Sequence, residues 1–249
     1  MRIIISPAKK MAADDTTMPW ADLPQFLPQT EQLLEKLRSM SLDECQKLWA
    51  CNQNLAELNY DRVRHMDLRR NLSPAILSYV GIQYQYMAAN VLDENAYAYL
   101  QEHLRILSGF YGALRPFDGV TPYRLEMQSK LAVGAYANLY EFWGDALYHA
   151  ALDDSRTIIN LASKEYSKCV ETHLQPEDTL IDVVFGELVN GKVVQKGTFA
   201  KMARGEMVRF LADSNAADPE AMKEFAALDY AYAPDLSTER KYIFLRIAH

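Results

Sequence analysis

Apolar and polar positions alternate along this chain in short blocks with two periods. Arg2 to Ser6 holds three isoleucines in a row, the pattern of a short strand buried on both faces. Thr30 to Met40 places Leu33, Leu34 and Leu37 on one helical stripe, and Ser41 and Glu44 form a capping box that opens the next helix. A further helix is expected from about Gln53 to Met66. Ala75 to Val80 reads as a strand, and Ile82 to Ala89 as a helix after the break at Gly81. Asp93 can cap a helix to about Glu102, and Leu104 to Leu107 is another strand. Asn138 and Glu141 repeat the capping pattern, for a helix reaching about Leu152.

Thr157 to Leu161 reads as a strand, with Ser163 capping a short helix behind it. Leu180–Val189 and Lys192–Lys196 flank Asn190-Gly191, the dipeptide that accepts the positive φ of a type I′ turn. A helix from about Ala200 to Leu211, a cap at Asp218-Pro219 and a last strand at Tyr242–Ile247 complete the pattern. Strands and helices intersperse with at least one antiparallel pair. The expectation is a mixed α/β (α+β) fold: a mixed sheet wrapped by helices, in a single compact domain over residues 1–249. Ala12 to Pro28, with Pro19, Pro24 and Pro28, is the most loop-like stretch, and it comes too early to separate two domains.

Composition narrows the class. Hydrophobic residues make up 49% of the 249 and charged residues 24%, so disorder and coiled coil are excluded for the whole chain. No apolar run approaches the ~18 residues of a membrane span. Arg2 is followed by only three isoleucines before Ser6-Pro7, which predicts no export signal. The odd set Cys45, Cys51 and Cys169 has no CxxC, so each is read as a small buried hydrophobe in a reducing cytoplasm. The formal charge is −7, and it is unevenly spread: Asp213 to Glu239 holds seven acidic residues against one lysine. That leaves room for a local basic groove elsewhere.

Standard catalytic signatures are missing. There is no GxxxxGK[ST], no GxGxxG after a strand, no GxSxG and no HExxH. His65, His103, His149, His173 and His249 show no metal-ligand spacing, so neither metal nor cofactor is expected. The acidic pairs Asp14-Asp15 and Asp153-Asp154 read as solvated loop charges.

Four segments carry candidate chemistry, all of it suited to oxyanions. On the helix from Ala200, Phe199, Met202, Ala203, Met207 and Phe210 form an apolar face while Lys201, Arg204 and Arg209 fan across the other. Gly205 sits between the cations at a cost of about 1 kcal/mol relative to alanine. Close approach of a ligand would offset that cost; a glycine packed on a neighbouring element is the commoner arrangement. Arg115 and Arg124, in a stretch pinned by Pro116 and Pro122, can offer bidentate donors, with Glu126 near enough to hold one in place. An internal Arg–carboxylate network is the competing reading. Ser163 and the N–H groups of the helix behind it can bind an anion, or can simply cap that helix. Lys9 and Lys10 follow the first strand, at the usual ligand side of an α/β sheet; a solvated lysine pair is the alternative. No nucleophile with an adjacent base emerges, so the set reads as binding rather than covalent catalysis.

The same segments carry a family resemblance. ISPAK at Ile5–Lys9, HLRILSGFYGALRPFDGVTPYRLEM at His103–Met127, LYEFWGD at Leu139–Asp145, INLASKEY at Ile159–Tyr166 and AKMARGEM at Ala200–Met207 resemble, in order, the YaaA family of peroxide-stress proteins. The resemblance implies a cytoplasmic bacterial protein that aids survival of hydrogen peroxide and limits damage from free iron. It also implies one α/β domain of unusual topology. It is similar to a member proposed to bind double-stranded DNA through a positive cleft and a helix-hairpin-helix-like element. Carried onto this sequence, the motif positions Lys9, Arg115, Tyr123, Arg124, Lys201, Arg204 and Arg209 are the expected lining of that cleft. The best place for the hairpin is Asn54–Arg62, where the usual glycines are missing and Asn59 would have to supply the left-handed residue. With a net charge of −7, DNA binding is expected to be weak and independent of base sequence. The alternative is an enzyme acting on a phosphorylated or nucleotide substrate, with Glu126 or Tyr166 as acid or base. A bound iron is a third reading without an obvious ligand set. Oligomeric state is not fixed by the sequence.

Overall fold

The architecture follows from one run of β-branched residues. In the computed structural model, which describes residues 1–13 and 18–247, Ile3, Ile4 and Ile5 are fully buried in strand β1 (Arg2–Ile5). Asp14-Asp15 and His249 lie outside the described residues. A strand buried on both faces belongs inside a parallel sheet. β1 pairs in parallel with β2 (Leu104–Ser108) on one side and β4 (Thr157–Leu161) on the other, and β3 (Gly112–Leu114) adds antiparallel to β2 at the edge. Beyond β4 lie β5 (Thr179–Val189), β6 (Lys192–Val194), β7 (Tyr230–Tyr232) and β8 (Lys241–Arg246). The order across the main sheet is β7-β8-β5-β4-β1-β2-β3, with β6 branching from β5 as a hairpin. The middle five strands are parallel, both edges are antiparallel, and helices flank the sheet.

This mixed sheet in one compact domain agrees with the expectation, as does the β5–β6 hairpin, where Asn190 and Gly191 take φ of 50° and 74°. The Ser41–Glu44 capping box also forms: the Ser41 N–H donates to Glu44 Oε2 at 2.8 Å, and the Glu44 N–H donates to Ser41 Oγ. Cys45 and Cys169 are buried and Cys51 half-buried. Among the described residues no helix is long and apolar enough to cross a membrane.

Three local expectations fail, each for a physical reason. Ala75–Val80 is not one strand. Ala75–Ser78 forms a helical turn whose first N–H groups donate to the carbonyls of Asp118 and Pro116, and only Tyr79–Val80 is extended, pairing with Lys10–Met11. A short buried apolar run fits either element, and tertiary hydrogen bonds decide. The helix from Asn138 breaks at Gly144 (φ 51°) into Leu139–Trp143 and Ala146–Ala150. The hairpin expected within Asn54–Arg62 is not there: Gln53–His65 is one unbroken helix. Buried Asn59 stays inside it, donating to the Leu55 carbonyl at 2.8 Å, and the left-handed residue is Ala50, which ends helix Leu42–Trp49.

The cost of Gly205 is met by a helix crossing. Helix Gly197–Asp213 packs on helix Ile82–Met87, and a Cβ at Gly205 would lie 2.2 Å from the Gln83 carbonyl oxygen and 2.9 Å from the Met87 nitrogen. The neighbour is backbone, which cannot swing aside. Gly205 is therefore a packing residue at this crossing. Gly205→Ala should lower stability by about 1–3 kcal/mol despite alanine's better helix propensity. Denaturant unfolding of the variant checks this; equal or higher stability would show that the two helices can separate at no cost.

Candidate functional site

Adjacent parallel strands deliver two loops to the same place. Ile5 stands opposite Leu161 in the β1–β4 register, so Ser6 and Ser163 emerge side by side at the C-terminal edge of the sheet. The chain passes from β1 to β2 on one side, while β4 enters on the other, so this is a topological switch point, where open α/β sheets hold their ligands. The Ser163 N–H donates to Ser6 Oγ at 2.8 Å, and the Ser6 hydroxyl donates to Ser163 Oγ at 3.1 Å. Ser163 stands at the N-cap of helix Lys164–Glu171, but its hydroxyl makes no capping bond there; the serines join the two loops instead. The Tyr84 hydroxyl donates to the Ser6 carbonyl at 2.9 Å. Burial pushes the Tyr84 pKa well up, so this hydroxyl keeps its proton.

Around this junction opens a cleft of about 460 Å³. One wall is the loop Ser6–Lys10, a second is Val80–Tyr84, a third is Glu126 with Glu165 and Tyr166, and Lys201 and Arg204 close it from helix Gly197–Asp213. Gly81 lets the first two walls meet, since a Cβ there would stand 2.9 Å from that of Ala8. Two donors face a cost. Gln83 is only 7% exposed, and its Nε2 has no hydrogen-bond partner. Arg204 Nε is likewise buried and unpartnered, and the guanidinium takes part in no ion pair among the described residues. Burial lowers the Arg204 pKa, and the charge of Asp182 opposes that shift. A buried donor without an acceptor costs about 1–3 kcal/mol.

The carboxylates of the cleft differ in what they do. Glu126 accepts from Lys9 Nζ at 2.8 Å and from Arg124 Nη2 at 3.3 Å, so it already serves two cations. Glu165 accepts from the Gln128 N–H at 3.2 Å, and burial pushes its pKa up, helped by the charge of Glu126. The Tyr166 hydroxyl keeps its proton, because burial holds its pKa far above the usual range. Glu126 and Tyr166, the two groups considered from the sequence for acid–base work, are thus poorly set for it. The arrangement suits binding an anion beside a hydrogen-bond acceptor.

Four of the expected residues meet here: Lys9, Ser163, Lys201 and Arg204. Four do not line the cleft. Arg124 stands behind Glu126 and also donates to the Trp49 carbonyl. Tyr123 is buried, its hydroxyl 2.6 Å from that of Ser108 and 2.9 Å from that of Tyr79. Arg115, beyond edge strand β3, pairs with Asp118 and Asp22 at 3.1 Å each. Arg209 pairs with Asp213 four residues on. The internal-network alternative therefore holds for Arg115 and Arg124, while Arg209 makes an ordinary pair along its own helix face. Gln83, Tyr84 and Glu165 went unread: Gln83 and Tyr84 sit in a segment whose pattern signals only a short helix, and Glu165 looks like any charge in a first helical turn.

A family model for peroxide stress protein YaaA matches residues 1–236. The chain belongs to that family. It is similar to proteins described as UPF0246 from Agathobacter rectalis, at 50% identity, and Lachnoclostridium phytofermentans, at 51%. A third, from Pediococcus pentosaceus, is 50% identical. The alignments cover 99% of this chain and 99%, 96% and 98% of those three proteins. The YaaA membership is consistent with a role in peroxide stress. Among the described residues no group of three or more His, Cys, Asp or Glu side chains gathers as a metal site.

Glu126→Gln should destabilise the fold by about 1–3 kcal/mol, because half-buried Arg124 loses its carboxylate partner. It should also tighten sulfate binding in the cleft, since one negative charge leaves it. Chemical denaturation and sulfate titration check the two parts; weaker sulfate binding by a folded variant would contradict the second.

Proposed function

We propose that this YaaA family member serves survival of peroxide, and the limiting of iron-driven damage, by binding a phosphate-bearing nucleotide moiety in the cleft at the switch point. The binding is noncovalent. The observation that carries this reading is the pair of buried, unpartnered donors, Arg204 Nε and Gln83 Nε2, on two residues that line one cleft. An oxyanion answers the first and a ring or carbonyl acceptor answers the second. Lys201 and Lys9 stand beside them as further positive charge, and Pro7, Ala8, Val80 and Ile82 supply apolar wall for a ring.

Size and charge favour a nucleotide over a duplex laid across the surface. The cleft holds about 460 Å³; Arg115 and Arg209 are occupied by carboxylates outside it, and Arg124 by Glu126 of its wall. Double-stranded DNA, the partner expected from the sequence, is the second reading. It is favoured by the exposure of Lys9, Lys10 and Lys201 at the rim, where a passing phosphate backbone would meet them.

The double change Lys201→Glu with Arg204→Gln should weaken binding tenfold or more while the melting curve stays within a few degrees of the native one. Fluorescence anisotropy at low salt, with labelled AMP in one series and a labelled 20-base-pair duplex in another, reads it out. Retention of the duplex alone selects the second reading. Equal retention of a probe by the native and double-variant proteins, or retention of neither probe by the native one, removes the proposal.

A further inference from the structure

Arg204 also lines a second cavity of about 240 Å³, beside the C-terminal end of β4 and residues 182–184 of β5. The first cavity has apolar walls beside its charged groups. The second is more polar, with the carboxylates of Asp182 and Glu171, the cations Lys164, Lys241 and Arg204, and the neutral polar groups of Asn160, Ser167 and Gln195. Asn160 Nδ2 donates to Asp182 Oδ1 at 2.7 Å, which fixes the carboxylate. Asp182 forms no ion pair among the described residues, although its charge acts on Arg204. Glu171 is held by Lys164 and Ser167.

With Glu171 held by Lys164 and Ser167, Asp182 is the carboxylate acceptor of this cavity that stands outside any ion pair among the described residues. Hydroxyl groups are the donors that such acceptors recognise. We infer that the two cavities form one site for a ligand with a phosphodiester or pyrophosphate at its centre, bound at Arg204. A flat ring lies in the first cavity with an acceptor towards Gln83, and a hydroxylated group such as a sugar lies in the second, donating to Asp182. The inference rests on the phosphate reading above and adds the second arm. It separates the ligand from duplex DNA, whose internal nucleotides offer no free hydroxyl.

Calorimetric titration of the full chain with ADP and with ADP-ribose tests it, because the two share a ring and a pyrophosphate and differ in the added sugar. ADP-ribose should bind about tenfold more tightly than ADP. Asp182→Asn, which keeps an acceptor for Asn160, should erase that difference and leave ADP affinity within about twofold. Arg204→Gln should weaken both by tenfold or more. The titrations are run on variants whose unfolding curves match the native one, and Glu171→Gln replaces Asp182→Asn if the latter is unfolded. Equal affinity of the native protein for ADP and ADP-ribose, or an equal loss of both in Asp182→Asn, overturns the two-cavity site and leaves the phosphate reading standing. Binding of neither probe overturns both.

Discussion

The site depends on the parallel pairing of β1 with β4. Four backbone positions, Arg2 to Ile5 against Ile158 to Leu161, set the register that brings Ser6 against Ser163. A slip of one residue would turn every side chain of β1 to the other face and part the two serines. The register is held because Ile3, Ile4 and Ile5 have no exposed alternative, and because the start of the chain is tied down: the Met1 ammonium meets Asp153 at 2.8 Å, and Arg2 is bonded to the carbonyls of Glu102 and Leu152. Burial of three side chains thus places a junction between loops more than 150 residues apart in the sequence.

Around that junction the chain balances its polar groups unevenly. Most buried polar side chains are answered from within: Ser108 by Tyr123, Asp118 by Arg115, Thr30 by the Phe26 carbonyl. Among the described residues, the buried side-chain atoms left without a hydrogen bond are Gln83 Nε2 and Arg204 Nε, on two residues that line the cleft, and Trp49 Nε1, Arg124 Nε, Arg156 Nε and Asp178 Oδ1 outside it. Folding stability is conceded at Gln83 and Arg204, and concession at one cleft is the pattern expected where a ligand completes the network. The crossing at Gly205 belongs to the same design. By letting helix Gly197–Asp213 touch the backbone of helix Ile82–Met87, it brings the elements that carry Arg204 and Gln83 together at the cleft.

The fold was legible wherever a local signal had a single meaning. The isoleucine run, the Asn190-Gly191 turn and the Ser41–Glu44 box each admit one backbone, and each formed. Ala75–Val80 and the helix from Asn138 were not legible, because the first was decided by carbonyls of the Pro116–Asp118 loop and the second by a glycine adopting positive φ. Of the site, the segments were legible and their convergence was not. Lys9, Ser163, Lys201 and Arg204 stood out as cations and a strand-end serine. Arg115 and Arg209 stood out equally, and only the fold reveals that Asp118 and Asp213 already hold them. Sequence spacing does not say which carboxylate an arginine will find.

The lining of the cleft has a further consequence for a protein of this family. It is made of serine, proline, alanine, lysine, valine, glycine, isoleucine, glutamine, tyrosine, glutamate and arginine, with neither sulfur-bearing residue type among them. Peroxide attacks proteins first at accessible thiolates and thioethers. Of the thiols, Cys45 and Cys169 are buried, and burial pushes both pKa values up, disfavouring the reactive anion. The cleft lining therefore presents neither thiol nor thioether for the oxidant to modify.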